Sequence, residues 1–262
     1  MKALKFTLII PLLVFAVSCK KSGTSDNNTT KSAVTSDEAV DMAVGAISVN
    51  SFGFASVADN VGANAQTFNS ISTGSQTVNS TTTNSVHQAC GTTVADSIDF
   101  SGNTASVTYS SFYKFSRTLN CNTNNVPDNL INAITFKGSF DGPRLSSNDS
   151  GTSNVTIAGL APSAASYTVN GTYSRKGAFT SKVGNKASGS SDVEIVATNI
   201  VLNKPGRAIA SGTATITISG TAHAGTFSFA GTLVFNGNNK ATLTVGTTVY
   251  IVNLLTGSYT KQ

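Results

Sequence analysis

Three cysteines, two histidines and twelve acidic residues in 262 positions are the whole stock from which this chain could build reactive chemistry. Cys90 and Cys121 flank a long alternating segment and lack the Cys-x-x-Cys spacing of a redox pair. In an oxidising compartment they predict a disulfide; closing a loop of about 31 residues would stabilise by about 3–4 kcal/mol on the chain-entropy model. The rival readings are a redox dithiol and a metal site shared with His87, which would lack a credible fourth ligand. His87 stands in a polar tract and His223 in Thr-Ala-His-Ala. Neither has the Ser or Asp neighbours of a triad, so both read as solvated surface groups. No Gly-x-Ser-x-Gly elbow, phosphate loop or EF-hand occurs, and neither a metal nor a cofactor is expected.

Two cations are anomalous. Arg117 and Arg175 fall on the apolar parity of their segments, each two residues after an aromatic, Phe115 and Tyr173. A guanidinium on an inward face must be paired, stacked or near a rim. One reading is a rim position with the stem lying on a ring. The other is a ligand-facing cation in a half-open barrel, suited to an acidic headgroup or sugar acid. Residues 141–149 form a polar turn cluster in which Asp141, Asn148 and Asp149 could offer oxygens to calcium. Their spacing fits no established loop, so a hydrogen-bonded turn is expected.

The remaining cysteine carries the most specific signal. Lys2 and Lys5 precede an apolar run over 6–17, and Ser18 then stands directly before Cys19. Twelve apolar residues are too few to span a bilayer, which needs about 20, so the run reads as a secretory signal. A small residue before Cys19 suits lipoprotein processing: the thiol takes a diacylglyceryl group, the peptide is cut, and the new amine is acylated. Two or three chains anchor durably, at about 0.8 kcal/mol per buried methylene.

Elements must position these groups. Charged residues are only 11% of the chain, while Thr, Ser and Asn number 36, 35 and 25, a composition poor for long helices and suited to strands and turns. Residues 20–32 are polar with nothing to bury, a tether. Thr35 and Glu38 then form a capping box, and Ala39, Val40, Ala43, Val44 and Ile47 recur at helical spacing. That stripe could dock on its own domain or on another molecule. Val57, Val61 and Ala65 hint at a short second helix before a polar linker over 69–85.

Beyond Cys90 the period is two. Val107, Tyr109, Tyr113, Phe115 and Leu119 share one parity of 104–119, and the other parity is mostly Thr, Ser and Lys. Tyr167, Val169, Tyr173 and Phe179 repeat the pattern, as do Phe227, Phe229, Leu233 and Phe235. Connections are too short for crossover helices, so neighbours must be antiparallel. The expected fold is all-β: an antiparallel meander of about eight to ten strands in a strongly curved sheet or barrel, alternatively a β-sandwich, behind a short helix. The expected organisation is a signal over 1–18, a tether over 19–34, helix and linker over 35–88, and the β domain over 89–262.

The Ser-Cys-Lys-Lys ending of the signal resembles those of Bacteroidetes envelope lipoproteins. Cys90-Gly91, Leu119-Asn120-Cys121-Asn122, Asp141-Gly142-Pro143-Arg144 and Val169-Asn170-Gly171-Thr172-Tyr173 resemble a group of such lipoproteins without known activity. The resemblance implies a lipid anchor in the outer membrane. Lys20 and Lys21, in place of an acidic stretch after the cysteine, point to its periplasm-facing side. With no catalytic constellation, the expectation is a non-enzymatic interaction or structural module whose partner is an envelope protein, glycan or lipid. A carrier of a lipid or other apolar ligand inside the sheet comes second, and a glycan-active enzyme third, because paired carboxylates are scarce. Loss of Lys2 and Lys5 lowers the net charge from +5 to +3, with no basic stripe for nucleic acid.

Overall fold

The computed structural model describes residues 33–71, 88–104 and 106–262. Cys19, the signal, the tether over 20–32 and His87 lie outside them. Helix α1 (Ser36–Ile47) starts as its capping box requires: the Glu38 amide donates to Thr35 Oγ1 at 3.2 Å, and the Thr35 amide donates to Glu38 Oε2 at 2.8 Å. A 3-10 turn (Val49–Ser51) leads into α2 (Phe54–Ile71), which is longer than the hint at Val57, Val61 and Ala65 suggested. Gly53 makes that corner possible: a β-carbon there would stand 2.5 Å from the Ala46 carbonyl carbon. Among the described residues no helix is long and apolar enough to cross a membrane.

Eleven strands follow: β1 (Thr93–Asn103), β2 (Thr108–Cys121), β3 (Pro127–Asp141), β4 (Leu145–Ala158), β5 (Ser166–Ser181), β6 (Ser188–Asn203), β7 (Ile209–Ala222), β8 (Gly225–Gly237), β9 (Lys240–Val245), β10 (Thr248–Asn253) and β11 (Tyr259–Lys261). They pair in chain order, every ladder antiparallel, in one sheet. The side chains alternate as expected. In β6, Val193, Ile195 and Ala197 are buried while Glu194 and Val196 are exposed. Gly171 and Asn199 take positive φ at facing irregularities of β5 and β6, where the Asn199 amide donates to Asn170 Oδ1 at 2.7 Å. Extra residues of this kind bend the strand and sharpen its twist.

The expected barrel or sandwich does not form. There is one sheet, β1 and β11 are its edges, and it is neither closed nor strongly curled. The reason is that the two helices cover the apolar face, so the sheet need not fold on itself to bury it. Val40, Ala43, Val44 and Ile47 of α1, and Phe54, Val57 and Val61 of α2, join Tyr113, Leu130, Ile157, Tyr167, Ile195 and Leu243 in one core. The stripe of α1 therefore docks on its own domain.

β1, β4, β6, β9 and β11 lie outside the alternating runs that mark strands in the sequence. β4 hides because its inward row holds Ser147, Asp149, Gly151 and Ser153, which look like turn residues. Each has an inward use: Asp149 is paired, Ser147 donates to that carboxylate, Ser153 donates to the Thr172 carbonyl at 2.8 Å, and a side chain at Gly151 would collide with Phe136.

Candidate functional site

Arg175 lies inward on β5, buried against the end of α1. Its guanidinium meets Asp149 Oδ2 at 2.6 Å, and Ser147 donates to the same oxygen at 2.6 Å. Nη1 donates to the carbonyls of Gly45 and Ser51. Gly45 belongs to the last turn of α1, where carbonyls lack helical partners and a cation is favoured by the helix dipole. Burial alone would lower the Arg175 pKa, but Asp149 prevails and raises it. Arg175 thus fastens helix to sheet. Arg117, half-buried on β2, donates to Asn64 Oδ1 of α2 at 3.1 Å, while its own carbonyl accepts from Gln88 at 2.9 Å. Both arginines reach the helices, the element the sequence had not placed opposite them.

A second tie gathers Asp41 of α1, Arg144 of the β3–β4 turn and Tyr259 of β11. Arg144 Nε donates to Asp41 Oδ1 at 2.7 Å, and the Tyr259 hydroxyl donates to the same oxygen at 2.9 Å. Burial raises the Asp41 pKa against these hydrogen bonds. Glu38 shows the opposite balance. Burial raises it, but donors from Thr35, Ala187 and Ser181 outweigh that and hold it below the ordinary carboxylate range.

Other expected positions separate. Asp141 accepts from Lys182 at 2.6 Å and also from Ser146, Asn148 points outward, and Asp149 sits on the inner face. Those three oxygens do not converge on a cation. Cys90 and Cys121 form the disulfide, their Cα atoms 5.5 Å apart. His223 is exposed at the β7–β8 turn. Among the described residues, no three His, Cys, Asp or Glu side chains gather as a metal site.

A run of concavities lies on the outer face of β1 to β5. Across β2 to β5 the register sets Phe112 beside Lys137, Lys137 beside Ser150, and Ser150 beside Lys176. The next row is Lys114, Thr135, Thr152 and Ser174. Thr135, Ser150, Thr152 and Ser174 are short and form a floor among the longer Phe112 and Lys114 of β2, Lys137 of β3 and Lys176 of β5, which makes a groove in an open sheet. Its central section holds about 540 Å³. Two adjoining sections, about 740 and 780 Å³, share its residues and extend it along β4 from Asn154 to Asn148. The ammonium groups of Lys114 and Lys137 lie 5.9 and 6.0 Å from the Phe112 centroid, within cation–π range. The available signal was Phe112 itself, a large apolar residue on the otherwise polar parity of its strand.

Comparison with known proteins brings no match: no protein-family profile, curated protein or solved structure is significantly similar to the chain.

Proposed function

We propose that this chain is a non-enzymatic binding module of a bacterial envelope, lipid-anchored through Cys19 to the outer membrane, on its periplasm-facing side. The outer face of its sheet is the working surface. One observation carries the reading: the two helices occupy the apolar face, leaving the grooved Ser/Thr/Asn face open to a partner. The buried pair Asp149–Arg175, and buried Asp41 with the exposed Arg144, are engaged in holding α1, which supports a scaffold over a catalytic centre. A carrier of apolar ligands would need the space that Phe54, Val57 and Val61 fill.

The reading is tested by metabolic labelling with an alkyne fatty acid and membrane fractionation of wild type and Cys19→Ala. Label and membrane association in wild type, both lost in the variant, are expected. An unlabelled wild type, or a variant still in the membrane fraction, would overturn the anchor. Mass spectrometry of the natively purified protein tests the rest: stoichiometric apolar ligand would replace the module by a carrier.

A further inference from the structure

Resting on that reading, we infer that the outer groove of β2 to β5 binds an acidic glycan chain, with Phe112, Lys114 and Lys137 as the specificity-determining contacts. Three features point to this chemistry. First, charge: Lys114, Lys137 and Lys176 line the central section, and among the described residues no carboxylate lines it. Lys176 is engaged by Asp192 at 2.8 Å on the rim, so Lys114 and Lys137 are the cations offered to an anion. Second, the half-exposed Phe112 ring carries the Lys114 and Lys137 ammoniums over it, so that a pyranose displacing one of them can lay its C–H face on the ring while its carboxylate meets that lysine.

Third, shape: the floor is a line of outward hydrogen-bonding side chains on β4, Asn148, Ser150, Thr152 and Asn154. The six steps of strand from Asn148 to Asn154 cover about 20 Å, a length suited to several linked sugars and wasted on a single small anion. Donors and acceptors repeating every second residue also match a polymer with repeating hydroxyls. A lipid headgroup would need an apolar path for its chains; Ser110, Ser139 and Asn148 line the section toward the β3–β4 turn, while Ala95, Ala133 and Ile134 join Ser116 in the section toward Asn154, so phosphatidylglycerol vesicles are the competing probe in the test below. Asp96 and Asp99 line the outer sections from β1, which places the anionic groups of the ligand at the centre.

The test is affinity electrophoresis of the full chain through gels containing polygalacturonate, with dextran as the neutral polymer. Retardation by polygalacturonate and not by dextran is expected. The stem-preserving pair Lys114→Gln/Lys137→Gln, which loses contacts to a charged group, and Phe112→Ala, which loses an aromatic face, should each weaken it by about tenfold, while Lys240→Gln leaves it unchanged. Circular dichroism checks that each variant is folded, and Phe112→Leu replaces Phe112→Ala if it is not. No retardation, equal retardation of wild type and the folded groove variants, or tighter binding to polyglutamate or phosphatidylglycerol vesicles would each overturn the assignment. Fatty-acid labelling of Cys19 is read separately, so loss of glycan binding with labelling intact removes the ligand class and not the anchored module.

Discussion

Arg175 on β5 and Asp149 on β4 form an ion pair at 2.6 Å inside the core, and the same guanidinium reaches the Gly45 carbonyl of α1. A buried pair is not a strong net stabiliser, because desolvation offsets most of the attraction, but breaking it strands the remaining charge. Arg175→Met should therefore cost about 3–5 kcal/mol, and Arg175→Met/Asp149→Leu should recover part of that loss. Urea unfolding of the three proteins checks this; a double variant as unstable as the single one would count against it.

The pH dependence divides between two carboxylates of α1. Glu38 has a folded pKa below its ordinary value, so its stabilisation is full above about pH 4.3 and is lost as pH falls through the folded value. Asp41, raised by burial, has the opposite sign: between its folded value and about 3.9 the folded state holds more protons, so stability rises as pH falls. In urea midpoints between pH 7 and 3, Glu38→Gln should flatten the acid loss, and Asp41→Asn should steepen it.

Reduction of Cys90–Cys121 releases residues 88–92, which stand before β1, from the end of β2. The loop-entropy estimate of about 3–4 kcal/mol makes the reduced protein, or Cys90→Ser/Cys121→Ser, melt several degrees lower. Thermal melts with and without dithiothreitol measure this, and coincident curves would refute it.

Tyr259 ties the three-residue strand β11 to α1 through Asp41, and Lys261 adds a looser approach to Asp37 at 3.6 Å. Tyr259→Phe removes a hydrogen bond to a charged acceptor and should cost about 1.5–3 kcal/mol. Amide exchange should rise over 259–261 and the first turns of α1 before it rises in β5 or β6. Uniform acceleration across the sheet would show that the tie is not local.

The all-β class, the antiparallel order and the capping box at Thr35 are legible because each depends on residues close in sequence or on a period of two, and the disulfide because Cys90 and Cys121 are the two cysteines that follow Cys19. β4 was illegible because its inward Asp149 and Gly151 are explained only by Arg175 and Phe136 on neighbouring strands. The parity of Arg117 and Arg175 marks them as inward, but their partners on the helices, Asn64 and the Gly45 and Ser51 carbonyls, lie over fifty positions away.

By itself the chain determines which side of each strand meets the core, since alternation is a local consequence of the pleat. Tertiary structure alone decided what covers that side. Closing the sheet and capping it with helices bury the same side chains, and the choice was made by contacts such as Arg175 with Gly45 and Asp41 with Arg144 and Tyr259. It also decided that Phe112 and three lysines on three strands share one groove, because register brings together residues that no local period relates.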